Sequence, residues 1–311
     1  MSFYRLVLLT LVLLSEFTIA ADLRAADTPK AVLVTGASSG IGKAIAEDLA
    51  SRGYFVYAGA RKDADIAALS KVPNIEGIRL DVTIQQDIDD AVATISKAGR
   101  GLYGLVNNAG VGFVGEASKM REEDLISTMD VNVYGPFRIT KAFAPLIIES
   151  KGRITTIGSI SGILSSRRLA AYSMSKHAIE AYVDALATEM ADYGVAVSVI
   201  EPGNYQSRIR DKVLEHAREN GAGEKELAAL QAWADTDYKE PDEVANAVYD
   251  ALSSAHPKHR YMVVPNANEA EITIRKAMQE MLELNEDQPY SYDRNALVSM
   301  LDDMLAADTP D

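Results

Sequence analysis

From about residue 30 to residue 265 the chain alternates between two rhythms of apolar and polar positions. Ala31–Thr35 is a short, continuous apolar run, as expected of a strand buried on both faces of a parallel sheet. Behind it Ile41, Ala44, Ile45 and Leu49 recur at helical spacing until Gly53 stops them. The alternation continues. Further strands are predicted at Tyr54–Ala60, a run ending at Ile78-Arg79-Leu80, Leu102–Val106, Arg153–Ile157, Val195–Ile200 and Arg260–Pro265. Helices are predicted from near Ile84, over Glu122–Glu149, Ala171–Tyr193 and Asp242–Leu252. Seven strands with helical crossovers predict an α/β domain over residues 29–265, a doubly wound seven-stranded parallel sheet with helices on both faces.

Three stretches depart from the alternation. Residues 204–237 are helical but loosely patterned, with Gly221 and Gly223 near the middle, which suits a movable substrate lid. Residues 266–311 carry eleven acids against three bases and read as an acidic helical extension. One of its helices spans about Ile272–Leu284, and another sets Leu297, Met300, Leu301, Met304 and Leu305 on one face. Such a stripe is usually core packing, with cover for a pocket or a neighbouring subunit as the alternatives. At the other end, Arg5 precedes the apolar run Leu6–Leu14, and Thr18-Ile19-Ala20-Ala21 offers small residues for cleavage. Residues 1–28 therefore resemble a signal peptide or a short membrane anchor, with membrane contact confined to residues 1–20. Apart from that segment the chain reads as soluble and cytoplasmic.

Composition excludes several functions. The net charge of −14 without a basic stripe makes nucleic acid a poor partner. The absence of cysteine removes disulfides, thiolate metal sites and thiol nucleophiles, and the four histidines, His177, His216, His256 and His259, form no ligand spacing. No metal is expected.

Two stretches carry chemistry. Gly36-Ala37-Ser38-Ser39-Gly40-Ile41-Gly42 lies between the first strand and its helix, where glycines admit a pyrophosphate and the helix end supplies free N–H groups. Tyr172-Ser173-Met174-Ser175-Lys176 sets a phenol and an ammonium one helical turn apart. A neighbouring cation would draw the phenol pKa down from about 10 toward the working range, giving a proton donor and acceptor for a substrate oxygen.

Thr35–Gly42, as Thr-Gly-x-x-x-Gly-Ile-Gly, resembles the signature of the short-chain dehydrogenase/reductase family, and further motifs of that family follow in order. The resemblance implies a Rossmann-type domain catalysing reversible hydride transfer between a nicotinamide nucleotide and an alcohol or carbonyl. It implies a cofactor held by Gly36, Ser38, Ser39, Gly40, Ile41, Gly42, Asp81, Val82, Asn108, Ala109, Gly110, Tyr172, Lys176, Pro202, Gly203 and Ser207, with a catalytic set of Asn132, Ser159, Tyr172 and Lys176. Asp81 would meet the adenine, though it could equally cap the helix near Ile84. Asn132, costly in mid-helix, would anchor a proton-relay water. Ser159 lies thirteen residues before Tyr172, with Ser161 as a turn-forming rival. Where family members that use NAD carry an acid after the second strand, this chain has Arg61, whose guanidinium can grip a 2′-phosphate. NADP is therefore expected rather than NAD, with a solvated Arg61 as the plain alternative.

The resemblance also implies a homo-dimer or homo-tetramer. The similarity to hydroxysteroid and retinol-type reductases leaves a steroid, a lipid aldehyde or a small ketone open as the small-molecule substrate. A non-catalytic NADP-binding sensor or scaffold is the alternative from another class, and the intact catalytic set speaks against it.

Overall fold

The structure, a computed structural model, describes residues 29–307, so the signal-like segment lies outside the described residues. The chain divides into two units at Val263 and Val264. In the first, the strands are β1 (Ala31–Val34), β2 (Phe55–Ala60), β3 (Ile75–Arg79), β4 (Gly104–Asn107), β5 (Arg153–Ile157), β6 (Ala196–Pro202) and β7 (Arg260–Val263). They form one sheet in the order β3-β2-β1-β4-β5-β6-β7, and every pairing is parallel. All strand ends that follow the chain direction therefore face one way. The order reverses between β1 and β4, where an open α/β sheet leaves a crevice for a ligand.

The helices of this unit are α1 (Gly40–Ser51), α2 (Asp63–Leu69), α3 (Gln85–Ala98), α4 (Glu122–Met129), α5 (Gly135–Glu149), α6 (Ala170–Ala191), α7 (Ile209–Glu219), α8 (Glu224–Ala234) and α9 (Asp242–Ser253). Seven-residue α2 is too short to show a helical period in the sequence. Side chains alternate across each strand, so β1 serves two cores. Val32 and Val34 pack with Ile45 and Leu49 of α1 and Val244 and Val248 of α9. Ala31 and Leu33 pack on the other face with Ile88 of α3, Ile139 and Phe143 of α5, and Ile179 and Val183 of α6.

The expected helix over Glu122–Glu149 is interrupted. Between α4 and α5, Asp130–Tyr134 winds as a π-helical turn, and Gly135 N–H donates five residues back to Asp130 O. This is where Asn132 was costly in a regular helix. A Cβ on Gly135 would lie 2.7 Å from Val82 Cγ2, so the glycine permits close packing that an alanine would block.

The second unit contains α10 (Ala267–Asn285) and α11 (Arg294–Ala307). Asn266 caps α10 by accepting the N–H of Glu269 at 3.0 Å. The stripe on α11 differs from core packing: Met300, Leu301, Met304 and Leu305 are exposed. Among the described residues no helix is long and apolar enough to cross a membrane.

Candidate active site

The glycine turn joins β1 to the N-terminus of α1 at the sheet's crevice. Gly36 has φ +67°, and a Cβ there would lie 2.9 Å from Ala109 Cα. Ser39 stands at the cap position of α1 in extended backbone without capping it through its side chain, and Ser38, Gly40 and Ile41 are half-buried beside it. The turn is braced by the segment after β4. Asn108 Nδ2 donates to Thr35 O at 2.9 Å and Gly36 O at 3.2 Å, while Thr35 Oγ1 accepts the N–H groups of Asn108 and Ala109, each at 3.0 Å. Thr35 escaped the list of expected site residues, although a threonine directly before the turn was its signal. The backbone is kept close and bare, a cradle that any Cβ would fill, and it fits a dinucleotide pyrophosphate.

Around that cradle, Val82 is buried, and Asp81 accepts from Thr83 N–H at 2.9 Å. Asp81 does not cap α3, whose cap position is Ile84 without a side-chain bond; it closes a turn one step earlier. Arg61, at the end of β2, is largely exposed with Nη1 3.7 Å from Asp81 Oδ2. Ser207 lies against the glycine turn, since a Cβ on Gly40 would be 3.3 Å from its Cα. Pro202 ends β6, and Gly203 N–H donates to Val263 O at 2.8 Å.

The four catalytic candidates converge where β4, β5 and β6 end. Asn132, buried in the π turn, accepts from Val111 N–H at 2.8 Å and donates to Val111 O at 2.9 Å and Ser175 Oγ at 3.0 Å. Gly110 lies beside it, 3.5 Å from the asparagine oxygen by its ideal Cβ. Ser175 in turn donates to Tyr172 O at 2.7 Å, which ties the π turn to α6. Its only sequence signal was a small polar residue inside the Tyr-to-Lys turn. Replacing Asn132 by leucine should leave the half-buried Val111 N–H and C=O unpaired and cost at most about 1–3 kcal/mol for each; thermal unfolding measures it.

Ser159 Oγ accepts from Ser161 N–H at 3.1 Å and donates to Pro202 O at 3.4 Å. Ser161 therefore serves through its backbone, in the 3₁₀ turn Ile160–Gly162. Burial pushes the Tyr172 phenol above its ordinary value, and the hydrogen bond with Ser159 pulls it down. Lys176, expected to draw the phenol down, is here bonded to a strand carbonyl. Lys176 donates to Ile157 O at 2.7 Å, with Nζ 5.6 Å from the Tyr172 ring centroid. A carbonyl of β5 takes the ammonium, and burial lowers Lys176 itself to about 8, with Glu180 acting in the opposite direction. On the open side, a Cβ at Gly112 would lie 3.2 Å from Ile209 Cδ1 and 3.6 Å from Tyr172 Cδ2, so α7 begins over the phenol.

The sequence profile of the short chain dehydrogenases matches residues 30–218. The chain belongs to the short chain dehydrogenase family. It is 32% identical over 273 residues to mitochondrial D-beta-hydroxybutyrate dehydrogenase of Rattus norvegicus, covering 79% of each chain. It is 36% identical over 252 residues to the NADPH-dependent 3-dehydrocapnine reductase of Ornithobacterium rhinotracheale, covering 75% of this chain and 87% of that protein. A short-chain dehydrogenase from Streptomyces avermitilis superimposes with a TM-score of 0.69 at 30% identity, covering 84% of this chain and 96% of that one. As a member of this family the protein is an oxidoreductase acting on CH–OH groups with NAD(P). Among the described residues no three histidine, aspartate or glutamate side chains gather as a metal site.

Proposed function

We propose that this short chain dehydrogenase transfers hydride between NADP(H) and an alcohol or carbonyl substrate, with Ser159, Tyr172, Lys176 and Asn132 as its catalytic set. The observation that carries the reading is the convergence of Ser159, Tyr172 and Lys176 at the end of β5. When bound, NADP(H) supplies or accepts the hydride. Ser159 donates a hydrogen bond to the substrate oxygen, and Tyr172 gives or takes the proton there. Lys176 is the cation nearest Tyr172, and on release from Ile157 O it can hold the cofactor's ribose and stabilise phenolate. Asn132 fixes the π turn that carries the proton path behind the lysine. An NADPH absorbance assay over ketones, aldehydes and alcohols tests the reading; no turnover of any class would sink it.

The preference for NADP rests on charge. Arg61, Lys62 and Arg208 each depress the Lys212 ammonium, after burial as the first cause, so four cations share one neighbourhood at the end of β2. A 2′-phosphate relieves that repulsion. Replacing Arg61 by aspartate should move the ratio of kcat/KM for NADPH over NADH toward NADH by roughly ten- to a hundredfold, the value of one charged hydrogen bond. An unchanged ratio would remove Arg61 from the site.

Residues 204–237 act in this reading as a substrate lid. Helices α7 and α8 enclose a small apolar cluster of Val213, Leu214 and Leu230, and the turn between them carries Gly221 at φ +72°. Polar ties from Arg121 to Asn220 and from Arg168 to Glu226 hold the lid against the loops around the site. For the quaternary structure we infer a homodimer through α4, α5 and α6, whose Ile126, Phe137 and Met174 are exposed. Its mass in solution tests that.

A further inference from the structure

Behind the Ser159 loop lies a group of charges that the proposed chemistry does not use. Glu180 stands one helical turn after Lys176 on α6, and Glu201 immediately precedes Pro202 at the end of β6. Glu201 is 2% exposed, and the Glu180 side chain 13%. One guanidinium answers both: Arg260 of β7 places Nη2 3.2 Å from Glu180 Oε2 and Nε 3.4 Å from Glu201 Oε1. Arg260 is also shared with the outer Asp184 at 2.8 Å, which takes His259 Nε2 at 2.8 Å as well. Lys176, the remaining cation nearby, is engaged by Ile157 O.

The count leaves two buried carboxyl groups with part of one counter-charge. Glu180 Oε1 and Glu201 Oε1 each lack a hydrogen-bond donor among the described residues, while the two side chains stand in hydrogen-bonding contact. A proton on Glu201, facing Glu180, would supply the missing donor. Burial first, then Glu180's charge and hydrogen bond, push the Glu201 carboxyl up to about 8 against the pull of Arg260.

The pair also touches the site from beneath. Ideal Cβ atoms on Gly158 and Gly162, which flank the Ser159 turn, would each lie 2.9 Å from Glu180 Oε1. The residue after Glu201 is Pro202, whose carbonyl accepts from Ser159 Oγ at 3.4 Å. Glu180's charge favours the protonated form of Lys176. We propose that Glu180 and Glu201 share one proton and that this pair, braced by Arg260, positions the Ser159 loop and sustains the charge of Lys176. In this role both glutamates are positioning residues. The catalytic half of the proposal rests on the site reading above, and the shared proton does not.

The proton is measured without turnover. A carboxyl raised from 4.5 to about 8 stays protonated in the folded chain while the unfolded chain ionises, so its contribution is full below pH 4.5 and is lost as pH rises to 8. In the full chain, Tm should therefore fall less steeply between pH 5 and about pH 8 in Glu201→Gln than in the wild type, because an amide donates at every pH. Equal slopes would overturn the shared proton. For positioning, Glu180→Leu should lower kcat roughly ten- to a hundredfold with little change in the KM for NADPH, and Glu180→Gln should restore most of it. The alkaline limb of kcat in Glu180→Gln should move to lower pH, since Lys176 loses a supporting charge. A wild-type kcat in Glu180→Leu, or an unmoved limb in Glu180→Gln should the leucine variant fail to fold, overturns the positioning role. If no substrate is turned over by any variant, the site reading fails while the Tm comparison still decides the proton.

Discussion

Replacing Tyr172 by phenylalanine is expected to lower kcat by about 10²–10⁴-fold, the range of a lost general acid–base group, and to leave NADPH binding nearly unchanged. The phenol hydroxyl is the group removed; the ring, which lies near Gly112 and Lys176, stays. The glycine cradle and its brace through Asn108 are untouched. Stopped assays of kcat beside a fluorescence titration of NADPH separate the two effects. Retention of a tenth or more of the wild-type kcat would disprove the role of Tyr172. The pH profile adds a second check: Lys176 loses its proton through about pH 8, so in the wild type the reduction rate should decline above that pH.

The second large effect belongs to Gly42. A Cβ at this position would lie 2.2 Å from Asn108 Nδ2 and 2.5 Å from Gly36 O. Neither atom can yield cheaply. Asn108 is committed to two backbone carbonyls, and Gly36 O is one of them. Gly42→Ala must therefore push apart the cradle and the segment after β4 that braces it, at an overpacking cost of about 1–3 kcal/mol. The expected outcome is a lower Tm and an NADPH Kd raised at least roughly tenfold, because the displaced N–H groups are those proposed to face the pyrophosphate. Normal NADPH affinity in the alanine variant would mean that the cofactor does not use this turn.

Most of the architecture was legible from the order of apolar runs and helical stripes. Ala31–Thr35, Arg153–Ile157 and, in the first helical stripe, Ile45 and Leu49 report burial directly, because strand and helix impose periods that a sequence records. The glycine turn and the Tyr172–Lys176 pair were legible for a related reason. Their chemistry depends on spacing along the chain. Even the interruption at Asn132 announced itself through propensity, although the sequence alone could not tell a kink from a harmless surface asparagine.

Other features needed contacts between distant segments. Lys176 donates to Ile157 O, nineteen residues back, a bond with a strand that its spacing from Tyr172 does not reveal. The α11 stripe had the period of a core helix but leaves Met300, Leu301, Met304 and Leu305 exposed, since a period identifies a face and not what covers it. In the sequence nothing links Glu180, on a helix, with Glu201, at a strand end. Only the parallel sheet brings α6, β6 and β7 together, burying two carboxyl groups against one arginine. By itself the sequence determined the strands, the helices, the glycine turn and the Tyr172–Lys176 spacing, which are set locally. The tertiary structure decided which charges meet and which lose water, because those energies depend on neighbours that lie far apart in the chain.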